Sequence, residues 1–340
     1  MDFTQGEHHH VVTLGTAGGP RFWRDSSRKG IATAIVVEDG FYLVDCGHGV
    51  GRQLEQAGLP LSALKGVFIT HLHSDHTVDL NTVGLFGLYE LQDRLDHPVP
   101  IFGPGDRGVL PAVSPRAQTS PQPIAPENPT PGTRSMFNQL MSAYATDLND
   151  RIIDSLRPSP LDLFNAQDID IPAEVGFHAN DQPVPQMAPF EVFRDEHVVV
   201  TATLVEHPPI APAFAFRFDT AQGSVAISGD TTYTPNMVTL SQGAGLVLHE
   251  AINFDFIEQM YAGKHDETSR ASVDHHYKSH TSVQDAVRVA REAGAHRLAL
   301  HHLVPGFDSP EQWTRFAVDY SGEFLIPDDL DVIGFSVPDA

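Results

Sequence analysis

The chain has 340 residues, with 44 acidic and 21 basic side chains and a formal net charge of −23. With 41% hydrophobic residues it can hide roughly three quarters of its unfolded surface, so it needs no metal or disulfide merely to fold. Cys46 is the only cysteine, which excludes an intrachain disulfide and a zinc ribbon. The negative charge disfavours a polynucleotide partner, because nucleic-acid affinity rests largely on Lys and Arg.

The chain shows no membrane or export signal. No stretch approaches the ~20 consecutive apolar residues of a membrane span. Residues 1–10 lack the basic start and the apolar middle of a secretory signal. We therefore expect a cytoplasmic protein without a membrane partner, although a signal peptide that had already been removed would leave no trace.

The first part of the chain alternates short β-branched or aromatic runs with glycine turns. A short helix is predicted over residues 51–58, where a glycine ends it. Strands are predicted at 11–14, 32–37, 41–44 and 66–70.

The middle of the chain has a different composition. Between residues 104 and 131 eight prolines stand among Ser, Thr, Gln and Asn, which cannot continue a helix or a central strand. Residues 134–156 carry an apolar stripe at helical spacing. We therefore predict an inserted Pro-rich arm with a small helical cap at 104–190. Residues 1–103 and 191–340 are the two halves of one domain, and the arm is either a lid or a contact in a homodimer.

The last part returns to alternating elements, ending in a helix at 281–293 and a core strand at 297–301. Further strands are predicted at 197–205, 213–218, 224–228 and 246–249.

The chemistry begins in the loop after the strand at 66–70, with the run His71-Leu72-His73-Ser74-Asp75-His76. It offers four side chains able to bind metal within six residues. Imidazole suits zinc, and the carboxylate allows a second metal site beside the first. The alternative is a solvated polar loop in which one histidine caps the following helix.

The run THLHSDH at 70–76 resembles the metal motif of the metallo-β-lactamase fold superfamily. That resemblance implies an αββα four-layer sandwich of the α/β class, with two packed sheets. Within the superfamily the chain is similar to the group that includes tRNase Z-like and zinc arylsulfatase-like hydrolases. The further matching runs are VTLGTAGGP ending at Pro20, YLVDCGHGVGRQL at 42–54, SGDT at 228–231, HEA at 249–251, SHTS at 279–282 and LALHHLVP at 298–305.

The resemblance also implies a ligand set for two divalent metal ions, preferably zinc, although manganese or iron suits the same ligands. His71, His73 and His207 would bind one ion, Asp75, His76 and His302 the other, and Asp230 would bridge both.

Three of these positions have alternatives. His207 could be a turn residue before a proline, and Asp230 could be a turn residue after its strand. His301 competes with His302, because a strand bend could exchange their faces. Strand alternation favours His302, which it places on the same face as Leu298 and Leu300.

The resemblance implies a hydrolase, because two metals roughly 3.5–4 Å apart can share one hydroxide that attacks in line. The catalytic candidates are Asp75, His280 and Glu250. His280 would donate a hydrogen bond or proton where charge develops, and Glu250 would orient His280. The alternatives are a helix N-terminal residue for His280 and a surface acid for Glu250. The chain has no G-x-S-x-G elbow that would supply a serine nucleophile.

For the substrate, we expect a small-molecule sulfate, phosphodiester, lactone or carboxyl ester, and no nucleic acid. Processing of tRNA would require a basic arm to grip the acceptor stem, whereas the arm here carries few positive charges. Two alternatives stay open. One is a tRNase Z-like phosphodiesterase or nuclease, and the other is a non-catalytic binding protein that keeps the fold.

Overall fold

The computed structural model describes residues 9–317 and 320–336. Residues 1–8, which hold most of the segment considered above as a secretory signal, lie outside the described residues, as do 318–319 and 337–340. The strands are β1 (His10–Gly15), β2 (Ala32–Val37), β3 (Gly40–Val44), β4 (Leu64–Phe68), β5 (Val99–Gly103), β6 (Phe164–Asp168), β7 (Phe190–Arg194), β8 (Val198–Leu204), β9 (Phe214–Thr220), β10 (Gly223–Ile227), β11 (Leu246–Ile252), β12 (Arg297–Val304), β13 (Glu323–Leu325) and β14 (Val332–Gly334).

Helices fill the segments between these strands. They are α1 (Val50–Ala57), α2 (Ser74–Thr77), α3 (Leu80–Glu90), α4 (Thr133–Ala143), α5 (Ala145–Ile153), α6 (Pro160–Leu163), α7 (Pro235–Ser241), α8 (Phe254–Tyr261), α9 (Glu267–Ser279), α10 (Val283–Ala293) and α11 (Pro310–Thr314). None of the helices in the described ranges is long and apolar enough to cross a membrane.

Within the described residues the strands form two seven-stranded mixed sheets. The first has the order β14-β1-β2-β3-β4-β5-β6, and the second has the order β13-β12-β11-β10-β9-β8-β7. In both sheets an antiparallel part adjoins a parallel part, with β3 to β6 parallel in the first and β10 to β13 parallel in the second. Neighbouring parallel strands end at the same edge of their sheet, so the loops that follow them converge there.

The two sheets pack face to face through an aromatic core. Phe68 of the first sheet contacts Phe216 and Phe218 of the second, with ring centroids 5.6 and 5.2 Å apart. All three side chains are fully buried. Helices cover the outer faces, with α1, α3 and α4 beside the first sheet and α7 and α10 beside the second. The predicted αββα four-layer sandwich is therefore confirmed.

The middle of the chain differs from its sequence-based description in two respects. The single helical stripe at 134–156 is two helices, α4 and α5, which meet at Tyr144. Residues 104–190 also contain β6, which pairs in parallel with β5 and so extends the first sheet. Of its five residues only Phe164 and Ala166 are buried, so the strand is too short for its pattern to stand out. The three-part division of the chain stays a prediction.

Candidate metal centre

Loops at one edge of the two sheets bring the candidate site together. The His71–His76 run follows β4 and overlaps the short helix α2, which carries Asp75 and His76. His207 follows β8, Asp230 follows β10, and His302 lies near the end of β12. Among the seven candidate ligands, His73 and Asp75 are half-buried and the other five side chains are buried.

One group of donors consists of His71, His73 and His207. Nδ1 of His73 lies 3.0 Å from Nε2 of His71 and 3.1 Å from Nε2 of His207. Oδ2 of Asp230 lies 3.8 Å from the first of these Nε2 atoms and 3.7 Å from the second. Three imidazole nitrogens and one carboxylate oxygen therefore point into one small space.

A second group lies on the other side of the same carboxylate. Oδ1 of Asp230 is 3.3 Å from Nε2 of His76 and 3.3 Å from Nε2 of His302. Oδ2 of Asp75 lies 3.7 and 3.3 Å from the same two nitrogens. Each oxygen of Asp230 thus faces a different group, which is the arrangement that a bridging ligand requires.

The chemistry of both groups fits divalent metal ions. In each group the ligand atoms all lie within 4.8 Å of one another. Nε2 of His76 and Oδ1 of Asp230 are buried without a hydrogen-bond partner, and a bound cation would satisfy both. Burial also lowers the pKa of His71 and His207 and so favours the neutral imidazole that metal binding needs.

Neighbouring groups fix the orientation of the imidazoles. Nδ1 of His76 donates to Oδ2 of Asp45 at 2.7 Å, and the backbone N–H of Thr70 donates to Oδ1 of the same carboxylate at 2.8 Å. Nδ1 of His207 donates to the backbone carbonyl of Ser279 at 2.6 Å. Both bonds leave Nε2 free to face the centre, as outer hydrogen bonds do for metal-bound histidines.

The two further catalytic candidates lie beside the centre and in contact with each other. Nδ1 of His280 is 3.0 Å from Oε1 of Glu250 and 3.9 Å from Oδ2 of Asp230. Burial alone would lower the pKa of His280, but the carboxylates of Glu250, Asp230 and Asp75 together outweigh burial and raise that pKa to about 9, with Glu250 contributing most. Glu250 is fully buried, and it also accepts a hydrogen bond from the Thr231 backbone. It is therefore placed to hold a protonated His280.

The structure brings His302 into the centre for a different reason from the predicted one. Leu298, Leu300 and Leu303 all pack in the hydrophobic layer between the second sheet and the helices α7 and α10. Strand alternation therefore breaks between positions 300 and 303. The pairing of β11 with β12 shifts register at this point, and His302 has a φ of +49°. A bulge, and not alternation, turns His302 toward Asp75.

A cavity of about 360 Å³ opens onto the centre. Besides Asp230 and His302, its wall includes side chains that the sequence analysis did not assign to the site. None of these residues belongs to a recognisable sequence motif, and only the fold shows that they lie close to the metal-binding groups. These side chains are Arg21, Trp23, Met260, Tyr261, His275 and His276.

A second cavity of about 360 Å³ lies on the other side of His73, which lines both. Its wall combines the Pro-rich arm with the loop after His207, and most of it is apolar. Arg107 joins these two segments, because its guanidinium donates to the carbonyl of Pro209 at 2.7 Å and to Oδ1 of Asn180 at 2.6 Å. The centre therefore lies between two cavities. Several titratable side chains line the first, the histidine-lined cavity, whereas on the described wall of the second, the apolar cavity, His73 and Arg107 are the only ones.

Comparisons of the sequence give one family match and a set of relatives. Residues 31–100 match the family model "Anti-Pycsar protein Apyc1". Ribonuclease Z of Mycobacterium sp. (strain KMS) is 27% identical over 323 residues, which is 94% of each chain. Ribonuclease Z of Mycobacterium avium (strain 104) is 26% identical over 332 residues, covering 96% of this chain and 99% of that protein.

Solved structures agree on the fold. The metallo-β-lactamase fold protein YhfI from Bacillus subtilis superposes with a TM-score of 0.58 at 20% identity, covering 96% of this chain and 99% of that one. Human tRNase Z, short form, gives a TM-score of 0.61 at 19% identity, covering 96% and 100%. A diphosphatase of the PhnP family gives 0.54 at 12% identity, covering 97% and 98%.

These similarities correct the expected partner. We expected a small-molecule substrate and no nucleic acid. This expectation conflicts with the ribonuclease Z relatives, which align with this chain over nearly the whole length of both proteins. The expectation rested on the net charge of the whole chain, which does not reveal the basic and imidazole side chains that line the cavity, such as Arg21 and His275. The arylsulfatase-like part of the resemblance has no support among these relatives. The chain is a metal-dependent hydrolase with the metallo-β-lactamase fold, similar to the tRNase Z-like group of that fold.

Proposed function

We propose that the chain is a phosphodiesterase that cleaves RNA with the help of two divalent metal ions. The observation that carries this proposal is the position of Asp230, whose two carboxylate oxygens each face a separate set of imidazole and carboxylate donors. A shared carboxylate between two cation sites suits in-line displacement at phosphorus. The ribonuclease Z relatives support RNA as the source of the phosphodiester.

The residues that would hold the ions are those named for the two groups, with Asp230 shared between them. Zinc is our first choice, since imidazole provides most of the donors. When bound, the ions would supply Lewis acidity and an activated water. The chain's own contribution is to fix these donors, to exclude bulk water from a mostly buried site and to place a proton donor.

His280 is the proton donor in this proposal. Its contact with Glu250 favours the imidazolium form, and both residues adjoin Asp230. An imidazolium in this position can protonate the oxygen that leaves phosphorus. Glu250 acts through His280 and is a positioning residue.

RNA binding has to overcome the negative charge of the chain. The basic and imidazole groups on the cavity wall, Arg21, His275, His276 and His280, lie close to the two acidic ligands Asp75 and Asp230. Bound divalent ions would neutralise these carboxylates, so the mouth of the site would attract phosphate when the metals are present.

The direct test is cleavage of a tRNA precursor with a 3′ trailer at physiological salt, with zinc and with manganese. We expect cleavage that a chelator abolishes and that Asp230→Ala removes together with at least one metal ion. Asp93→Ala, a change at an exposed residue outside the site, is the control and should keep full activity. A metal-loaded protein that hydrolyses bis(p-nitrophenyl) phosphate but leaves RNA intact would contradict the proposal.

A further inference from the structure

Arg21 lies on the wall of the histidine-lined cavity, in the loop that follows β1. Arg21 belongs to none of the sequence motifs described above. Among the described residues no carboxylate lies within ion-pair distance of its guanidinium, although acidic residues outnumber basic ones two to one in this chain. Its side chain donates to Sδ of Met260 at 2.9 Å, which is only a weak acceptor. Arg21 therefore presents a charge to the cavity without a strong partner.

The guanidinium is held in place by an aromatic ring. Cζ of Arg21 lies 5.3 Å from the ring centroid of Trp23, within the range of a cation–π contact. Trp23 is itself fixed, because its indole N–H donates to the carbonyl of Gly18 at 3.0 Å and its ring packs against Phe256 and Phe307. The ring is thus a platform for Arg21 and not a free surface for a base.

The loop that carries Arg21 is anchored to the metal centre. The backbone N–H of Gly18 donates to the carbonyl of Leu303 at 3.1 Å, and the backbone N–H of Leu303 donates to the carbonyl of Thr16 at 2.8 Å. The position of Arg21 relative to the centre is therefore set by β12. The cavity that they share has about 360 Å³, a volume typical of ligand sites.

We propose that Arg21, supported by Trp23, binds a phosphate of the substrate next to the scissile one. The planar guanidinium can bind two phosphate oxygens at once, which suits a polynucleotide with a phosphate on each side of a nucleoside. Arg21 then favours RNA over a diester that has a single phosphate. This inference rests on the proposed function and adds a specificity residue to it.

Arg24 offers a matched control. It lies in the same loop, carries the same charge and is exposed, but it does not line the cavity. Arg21→Ala and Arg24→Ala change the net charge equally, so a purely long-range electrostatic effect would appear in both variants. Arg21→Lys keeps the charge and removes the planar pair of donors.

The first experiment compares two substrates. We expect Arg21→Ala to lower kcat/KM for an oligoribonucleotide by about 10- to 100-fold, the effect of losing one hydrogen bond to a charged group. Metal content should stay unchanged, hydrolysis of bis(p-nitrophenyl) phosphate should fall much less than cleavage of the oligoribonucleotide, and Arg21→Lys should recover only part of the loss. Equal losses in the Arg21→Ala and Arg24→Ala variants, or equal losses on both substrates, would overturn the proposal.

The second experiment needs no turnover. Calorimetry on the zinc-loaded protein compares uridine 3′,5′-bisphosphate with uridine 5′-monophosphate, which differ by one phosphate. We expect the bisphosphate to bind more tightly to the parent and to Arg24→Ala, and this preference to vanish in Arg21→Ala. A preference that survives in Arg21→Ala overturns the assignment. If the preference depends on Arg21 while RNA is not cleaved, the proposed function fails and the phosphate site stands.

Discussion

Asp45 accepts a hydrogen bond from Nδ1 of His76 at 2.7 Å, deep beneath the two groups of metal-binding side chains. The bond selects the tautomer of His76 in which Nε2 is free, and that nitrogen faces Oδ1 of Asp230 at 3.3 Å. Asp45 has a φ of +61°, a conformation that Asp and Asn adopt more readily than most residues. The backbone therefore limits which substitutions can test the bond.

Asp45→Asn changes the hydrogen bond and leaves the backbone conformation accessible. The amide can present a donor to Nδ1 of His76, which disfavours the tautomer with Nε2 free. We expect metal affinity to fall by about 10- to 100-fold, as for other lost hydrogen bonds behind a metal ligand. Competition with a chromogenic chelator measures the affinity, and circular dichroism shows whether the fold is kept. An Asp45→Asn variant with parental affinity would show that the bond does not control His76.

Gly18 lies so close to His302 that a side chain cannot be added. A Cβ atom at this position would stand 2.4 Å from Nδ1 of His302 and 2.6 Å from its carbonyl oxygen. We expect Gly18→Ala to displace His302, so that the variant loses about one of its two metal ions, as measured by elemental analysis. Gly334→Ala is the control, because a Cβ there meets nothing within 4 Å. Retention of both ions by Gly18→Ala would count against His302 as a ligand.

Substitutions at His280 and Glu250 should differ in their effects from substitutions at the metal-binding residues. His280→Gln should lower kcat by about 10²- to 10⁴-fold while both ions stay bound, because it removes a proton donor and no ligand. Glu250→Gln should lower kcat less than His280→Gln does. It should also move the alkaline limb of the pH–rate profile to lower pH, because loss of the Glu250 carboxylate lowers the pKa of His280. Loss of an ion in His280→Gln would instead identify His280 as a ligand, a role consistent with the nearby Glu250–His280–His302 cluster.

Much of the candidate centre could be proposed from the sequence because four of its residues lie within the six positions of the His71–His76 run. Asp230 and His302 follow apolar runs that are recognisable as the strands β10 and β12. The sequence could not predict the bulge at His302, since a register shift depends on the pairing of β11 with β12. The same limit applies to β14, which pairs with β1 although more than 300 residues separate them. Arg21 was missed because its role depends on a cavity formed by distant segments.

His249 provides a test of stability that is independent of catalysis. Burial lowers its pKa to about 4, against the smaller raising effects of its bond to the Glu250 carbonyl and of Asp285 on α10. The nearby His301 on β12 is also buried. An unfolded histidine takes up its proton near pH 6.5. Between about pH 6.5 and 4 the unfolded state therefore binds more protons, and stability falls as the pH falls.

His249→Asn should flatten this part of the profile. The Asn amide can keep the hydrogen bond that Nδ1 of His249 makes with the Glu250 carbonyl. We expect the loss of unfolding free energy between pH 7 and 4 to shrink by on the order of 3 kcal/mol, which is the pKa difference expressed as energy. Urea unfolding at several pH values measures it. His97→Asn removes an imidazole from an exposed position and is the control. A profile of His249→Asn that does not differ from that of the control would refute the linkage.

The Pro-rich arm can be shortened without disturbing its base. Oδ1 of Asp106 accepts a hydrogen bond from Oγ1 of Thr130 at 2.6 Å, so the two ends of the arm are already close together. Farther along the arm, Arg116 donates to Asp274 at 2.8 Å and forms an ion pair with Glu267 at 3.2 Å, both on α9. The arm thus reaches from the apolar cavity to the helix that carries His275 and His276.

We expect replacement of residues 109–128 by a short Gly-Ser linker to raise KM for RNA several-fold while both metal ions stay bound. Leu110 and Pro111 of this segment line the apolar cavity, and none of the predicted metal ligands belongs to the segment. Arg116→Ala separates the two roles of the arm, because it removes only the contact with α9. These ion pairs lie at the surface, so the unfolding free energy of the variant should hardly change. Loss of metal from the shortened protein with an unchanged preference between RNA and bis(p-nitrophenyl) phosphate would show that the arm is purely structural.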